Sequence, residues 1–144
     1  MDTRVEKKRL IVVGVDGSES SRHALHWAVA QSKVMGGMLE VITTWAPPIP
    51  WGRTATLAPG QDQADGARKV LSEVVDSVLG PHSALDVQEV VVEGPAAPTL
   101  IAASKRADLL VVGSRGHGPF AGMLLGSVSR HCVTNAACPV VVVH

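Results

Sequence analysis

The feature that most constrains this chain is a set of four short, valine-rich apolar runs, at residues 10–15, 87–92, 109–112 and Val140–Val143. A fifth run, at 39–45, is more mixed in composition. Apolar runs that are continuous rather than alternating are typical of strands buried on both faces, as in a parallel sheet covered by helices. The pattern therefore predicts five strands of a parallel sheet.

Segments with helical spacing separate these runs. They predict helices over about 20–35, around 70–78, from about Pro98, and over about Ser127–Asn135. Glycines at 36 and 80 end the first two helices. The resulting order, β-α-β-α-β-α-β-α-β, requires right-handed crossovers and predicts an α/β fold with a doubly wound, five-stranded parallel sheet and helices on both faces.

Length and composition fit one domain. The 144 residues are 46% hydrophobic and 18% charged, so we expect a single globular domain over 1–144. Aromatic residues make up only 3%, so the core must be built from Val, Leu, Ile and Ala. The proline-rich stretch 46–60 is predicted to be a flexible surface loop, either a lid over a site or a tolerated insertion.

The net charge and the cysteine content limit the possible binding partners and the cellular compartment. Thirteen basic residues balance thirteen acidic ones, which argues against nucleic-acid binding and against a polybasic membrane-surface protein. No apolar run approaches the roughly 20 residues that span a bilayer. Two cysteines, Cys132 and Cys138, make neither a disulfide framework nor a four-ligand metal site. We therefore expect a cytoplasmic domain in a reducing compartment.

The most informative segment is glycine-rich and follows the fourth predicted strand. Five glycines lie between Gly113 and Gly126, where a buried strand ends and a helix begins. Ligands of open α/β sheets bind beyond the carboxyl ends of the strands, and glycines there let backbone N–H groups approach an anion. Ser127 and Ser129 can cap the helix or donate a hydroxyl to phosphate, and Arg115 adds positive charge. The segment predicts a phosphate pocket.

Two known phosphate motifs do not describe this segment. The P-loop pattern with its lysine is absent. The match of Gly116-x-Gly118-x-x-Ala121 to a dinucleotide fingerprint fails, because Pro119 interrupts it and no acidic residue follows about 20 positions later. The pattern that remains is Gly113-x2-Gly116-x9-Gly126-Ser127.

This pattern resembles the signature G-x2-G-x9-G-[ST] of the ATP-binding branch of the universal stress protein family. The resemblance covers nearly the whole chain. The stretch Ile-Val-Val-Gly-Val-Asp-Gly-Ser at 11–18 is similar to the family's first strand and turn, and Glu93-Gly94-Pro95 and the ending at 138–143 are similar to later landmarks. The resemblance implies a sheet in the order 3-2-1-4-5.

The resemblance also implies a nucleotide site between strands one and four, which holds ATP with a divalent cation such as Mg²⁺. Asp16 would contact the ribose or the metal, and its alternative is a turn made by Asp16-Gly17. The backbone near Thr44 would meet the adenine, although the family usually has His and a small apolar residue where this chain has Thr43-Thr44.

The glycine-rich segment would supply the remaining contacts. Gly113 and Gly116 would lie by the ribose and phosphates, and Gly126 to Ser129 would hold the β and γ phosphates. Arg115 and His117 have two equal interpretations, as phosphate contacts or as solvated loop residues. The full expected nucleotide-binding set is Val15, Asp16, Thr44, Val112, Gly113, Arg115, Gly116, His117, Gly126, Ser127, Val128 and Ser129.

Several residues have structural interpretations instead. His23 and His26 share one helix face and are expected to be solvated, because no further metal ligands accompany them. His131 and Cys132 are expected to pack in the interior, and Cys138 is expected to be buried.

The last predicted strand indicates that the domain pairs with a second subunit. In the order 3-2-1-4-5, Val140–Val143 forms an open edge, which is an aggregation hazard unless something covers it. The same strand of a second subunit is the simplest cover, and members of the family similarly dimerise through it. We expect a homodimer.

The resemblance implies an ATP-binding regulator of the stress response, and the residues favour little or no catalysis. The glycine-rich segment has no lysine, and no carboxylate follows Asp108 to act as a general base. One alternative is a slow Mg²⁺-dependent ATPase or phosphoryl-transfer enzyme that uses Asp16. Another is a sensor of AMP or a cyclic nucleotide, since no P-loop lysine selects the γ phosphate.

Overall fold

The computed structural model describes residues 8–46, 60–80, 84–115 and 125–144. In these ranges the chain alternates strands and helices. The elements are β1 Leu10–Gly14, α1 Glu19–Met35, β2 Met38–Trp45, α2 Gly60–Leu79, β3 Val87–Glu93, α3 Ala96–Ser104, β4 Leu109–Gly113, α4 Ser127–Asn135 and β5 Val140–Val143.

The five strands form one parallel sheet in the order β3-β2-β1-β4-β5. From β1 the chain adds strands on one side, through β2 to β3, and then crosses β1 to add β4 and β5 on the other. The predicted fold class and strand order are confirmed. The reversal places the topological switch point between β1 and β4, where open sheets of this kind bind ligands.

Each face of the sheet carries its own apolar core. On one face α1 and α2 pack against the sheet through residues that include Leu25, Val29 and Leu71. On the other face α3 and α4 bury Leu100 and Cys132. The side chains of β1 supply both cores alternately, which explains why its run is apolar throughout.

The helix boundaries follow local chemistry. The Ser18 side chain accepts a hydrogen bond from the Ser21 N–H (3.3 Å) and begins α1, and Gly36 ends it in the left-handed region at φ 65°. Helix α3 begins at Ala96, two residues before the predicted start. Pro98 lies in its first turn, where a missing N–H removes no intrahelical bond.

The second helix is longer than predicted. It begins at Gly60, the last residue of the predicted loop at 46–60. Residues 47–59 of that loop lie outside the described ranges, so the loop stays a prediction there. None of the helices in the described ranges is long and apolar enough to cross a membrane.

The cysteines and His131 differ in their packing. Cys132 is fully buried, as expected, and burial raises the pKa of its thiol to about 11. His131 is exposed, so its predicted interior position is wrong, because α4 turns Ser129 and Cys132 toward the sheet. Cys138 is half-buried, and burial is the largest cause that raises the pKa of its thiol.

A carboxylate lies in the middle of β2. Glu40 is 6% exposed, on the face of the sheet that carries α3 and α4. The Arg106 guanidinium, just beyond α3, donates to both carboxylate oxygens at 2.6 and 2.5 Å. The hydrogen bond with Glu40 raises the pKa of Arg106. This fork joins the end of α3 to the sheet.

We expect Arg106→Met to lower the free energy of unfolding by about 2 kcal/mol, because it leaves the Glu40 carboxylate buried and unpaired. The loss is smaller than for a fully buried pair, since the Arg106 side chain is 53% exposed. The double variant Glu40→Leu/Arg106→Met should recover most of it, and urea unfolding measures both. A double variant less stable than the single one would contradict this account.

Candidate functional site

The carboxyl ends of β1 and β4 border the switch point. Val15 continues the line of β1, is buried, and donates its N–H to the Ile42 carbonyl at 2.9 Å. Asp16 follows and is exposed. On the other side β4 ends at Gly113, and the exposed Arg115 follows.

Asp16 forms a tight turn. Its Oδ1 accepts the Ser18 N–H at 2.9 Å, its own N–H donates to the Ser21 hydroxyl at 3.3 Å, and Gly17 adopts φ 83°. The turn interpretation of Asp16-Gly17 therefore describes the local geometry. A carboxylate has about four acceptor positions, and the Ser18 N–H occupies one of them.

The first turn of α1 lies directly against the end of β4. A Cβ atom built on Gly113 would lie 2.6 Å from the Ser20 Oγ and 2.8 Å from the Ser20 carbonyl carbon. The Arg115 carbonyl accepts hydrogen bonds from the hydroxyls of Ser18 (3.3 Å) and Ser20, and the Arg115 N–H donates to the Ser20 Oγ at 3.3 Å. Gly113 therefore has a packing role that sequence reasoning missed.

The start of α4 is joined to the end of β4 as well. The Gly126 N–H donates to the Ser114 carbonyl at 2.6 Å, and the Ser129 hydroxyl donates to the Gly126 carbonyl at 2.9 Å. The Ser114 carbonyl also lies 3.3 Å from the Ser129 Oγ, and both serines are buried. The Ser129 hydroxyl thus faces the interior and fixes the helix start.

Three amides of the first turn of α4 remain available. The backbone N–H groups of Ser127, Val128 and Ser129 precede the first intrahelical bond, which the Arg130 N–H makes to the Gly126 carbonyl at 3.0 Å. Among the residues that the structure describes, these three N–H groups have no hydrogen-bond partner. Together with the partial positive charge of a helix N-terminus, they suit an anion.

The remaining predicted site residues differ in how they can contribute. Thr44 is half-buried near the end of β2 and pairs with Val92 of β3. The Val112 side chain is buried in the core under α3 and α4, so only its backbone can face a ligand. Gly116 and His117 lie outside the described residues.

The charged side chains at the switch point fit phosphate better than a protein-held metal. Arg115 is exposed there, and Arg130 on α4 is exposed and donates to the Leu125 carbonyl at 3.4 Å. In the ranges given above, no group of three His, Cys, Asp or Glu residues could hold a metal ion. A magnesium ion would fit only as Mg²⁺ usually binds, through phosphates and water with one carboxylate, here that of Asp16.

A shallow surface depression of about 440 Å³ lies beside this region. It is lined by Gly17, Glu19, Arg22, His23 and His26. Both histidines are exposed, as expected, and the His23 Nδ1 lies 3.1 Å from the His144 carbonyl oxygen.

The fold and site define an open, doubly wound α/β protein with three available N–H groups of a helix N-terminus at its switch point. The family model of the universal stress protein family matches residues 8–144. The chain therefore belongs to the universal stress protein family.

Individual relatives similar to this chain are also universal stress proteins. A universal stress protein of Mycobacterium tuberculosis is 34% identical over 152 residues, which cover 99% of this chain and 50% of the relative. One of Mycolicibacterium smegmatis is 37% identical over 141 residues, covering 93% and 47%. The chain thus spans about half the length of the curated relatives it matches.

Two solved structures match over almost their full length. A universal stress protein in complex with cAMP superposes with a TM-score of 0.68 at 27% identity and covers 95% of this chain and 97% of its own. UspA of Lactobacillus plantarum gives a TM-score of 0.69 at 21% identity, covers 96% and 99%, and supports the fold alone.

We expect Gly113→Ala to destabilise the fold by about 1–3 kcal/mol, because the new methyl group would meet the backbone of Ser20 at 2.8 Å. The matched control is Gly66→Ala in α2, where a Cβ atom meets nothing within 4 Å. That change should stabilise the protein by about 0.5–1 kcal/mol through helix propensity. Thermal and urea unfolding compare the two, and equal effects would refute the packing role of Gly113.

Proposed function

We propose that this domain binds an adenine nucleotide at the switch point between β1 and β4 and acts as an ATP-responsive regulator in the stress response. The observation that carries the proposal is the group of three available N–H groups at Ser127, Val128 and Ser129, which stands across the switch point from the Asp16 turn. The relative in complex with cAMP, at 27% identity, supports an adenine nucleotide as the ligand.

In this proposal the phosphates lie at the first turn of α4. The three N–H groups and the Ser127 hydroxyl bind the β and γ phosphates. The Gly126 N–H and the Ser129 hydroxyl are engaged within the protein, so Gly126 contributes close approach and Ser129 its backbone. Gly113, Arg115, Gly116 and His117 belong to the phosphate and ribose side.

The other end of the nucleotide lies toward β2. Backbone groups near Val15, Thr44 and Val112 border the adenine and ribose, and the Asp16 carboxylate faces the ribose or a Mg²⁺ ion. When bound, Mg²⁺ would neutralise phosphate charge. Asp16 orients water around it or hydrogen-bonds the ribose, while its turn with Ser18 fixes the carboxylate.

The chemistry of the described residues favours binding over turnover. Asp16 is the carboxylate at the described switch point, and one of its oxygens already accepts the Ser18 N–H. No lysine follows Lys105 in the chain. A slow ATPase remains the enzymatic alternative, and loss of turnover in Asp16→Ala with retained binding would favour it.

A cyclic-nucleotide sensor is a second candidate, because the 27% identical relative is in complex with cAMP. Calorimetric titration of the full chain with Mg·ATP, AMP and cAMP separates the candidates. Preference for ATP supports the triphosphate site, and an affinity ratio near one argues against it. If none of the three raises the melting temperature at millimolar concentration, the nucleotide proposal is wrong.

We expect Ser127→Ala to weaken ATP binding by about 0.5–1.5 kcal/mol, or 2- to 13-fold, since one hydroxyl acts beside several N–H donors. The control is Thr134→Ala at the other end of α4, where the exposed hydroxyl only donates to the Arg130 carbonyl. That variant should bind ATP like the wild type in the same titrations. Equal affinity in Ser127→Ala and the wild type would place the phosphates elsewhere.

We further propose that the domain is a cytoplasmic homodimer through β5, with no nucleic-acid or membrane partner. The strand forms the edge of the sheet, and all four valines are half-buried. The carbonyls of Pro139 and Val143 accept hydrogen bonds from the backbone N–H groups of Leu110 and Ser114 on the β4 side. Alternate residues of a parallel strand direct their backbone groups to opposite sides, so the N–H and carbonyl of Val142 face the open edge.

Val142→Pro should therefore convert the dimer to a monomer, because it removes an N–H at the open edge while it leaves the bonds to β4 in place. Sedimentation equilibrium at micromolar concentration measures the mass, with Val133→Ala on exposed α4 surface as the control. A wild-type chain that sediments only as a 15.0 kDa monomer would refute the dimer.

A further inference from the structure

The hydroxyl of Ser20 makes a contact that its position in α1 does not require. Ser18 is the N-cap of the helix, and Ser20 is its second residue, half-buried in the first turn. A serine there usually points to solvent or bonds its own helix. Here its hydroxyl donates to the Arg115 carbonyl and accepts the Arg115 N–H, across 95 residues of sequence.

The surrounding contacts make this bond specific. The Ser18 hydroxyl reaches the same carbonyl at 3.3 Å, and the missing Cβ of Gly113 lets the first turn of α1 approach. Ser18 is also joined to the Asp16 carboxylate through its N–H. The turn after β1 and the exit of β4, on the two sides of the switch point, therefore form one hydrogen-bonded unit.

We infer that Ser20 is a positioning residue for the nucleotide site, acting through the backbone of Arg115; this rests on the proposed function. A peptide group is planar, so a hydroxyl that holds its carbonyl fixes the whole plane at the point where the chain leaves β4. The same bond fixes the Arg115 Cα, from which the cationic side chain projects beside the switch point.

Removing the Ser20 hydroxyl takes away two hydrogen bonds of the Arg115 backbone, so more of its ordering is left to ligand binding, and the cost of that ordering reduces affinity. The effect falls on the phosphate side of the ligand, where Arg115 lies, and not on the adenine side. The expected signature is a loss of affinity that depends on the phosphates, with a fold of nearly unchanged stability.

The experiment compares Ser20→Ala, Ser20→Thr and Ser77→Ala in the full chain. Ser20→Thr retains the hydroxyl, and Ser77→Ala removes a serine hydroxyl that only donates to the Val74 carbonyl of α2. Each variant is titrated with Mg·ATP and with adenosine, its melting temperature is measured, and amide hydrogen exchange is followed at Arg115.

We expect Ser20→Ala to weaken Mg·ATP binding about 5- to 10-fold while adenosine binding changes less than 2-fold, and to speed exchange of the Arg115 amide. Ser20→Thr should restore the affinity, and Ser77→Ala should match the wild type. Wild-type affinity in Ser20→Ala overturns the inference alone. An equal loss for ATP and adenosine with a lower melting temperature also overturns it, in favour of a general structural role. A wild-type chain that binds neither ligand refutes the proposed function and this inference together.

Discussion

Burial of β1 on both faces is the constraint on which the rest of the structure depends. Ile11, Val12 and Val13 have no exposed surface, because helices cover the strand above and below and β2 and β4 flank it. Each such side chain contributes roughly 1.5–3 kcal/mol of transfer free energy. The strand order reverses at β1, which has β2 on one side and β4 on the other, and the switch point lies at the carboxyl ends of β1 and β4.

Serine hydroxyls then join the elements that meet at this edge. Ser18 and Ser20 connect α1 to the Arg115 backbone, and Ser129 connects α4 to the end of β4. These bonds connect the backbone carbonyls of Arg115 and Ser114 to the two helices, so the three elements hold one arrangement before any ligand arrives. The N–H groups of α4 that remain available owe their direction to this arrangement.

Sequence reasoning predicted the strands, the helices and their order, because continuous valine runs and helix-ending glycines such as Gly36 depend on local chemistry. It also predicted that Asp16, Arg115 and Ser127 lie at the carboxyl edge of the sheet. It missed the packing role of Gly113 and the Ser20 contact, since both depend on a helix that is distant in sequence. His131 was misplaced because a nine-residue helix leaves its rotation undetermined without the sheet.

The buried Glu40 has a consequence for how the strands align. A strand that is apolar on both faces can shift by one residue and still present apolar side chains to both layers of helices. Hydrophobicity alone therefore does not fix its register. Glu40 removes that ambiguity for β2, because a shift by one position would turn its carboxylate toward the apolar side chains of α1 and α2 and away from Arg106. One charged residue thus fixes the register of β2 in the sheet.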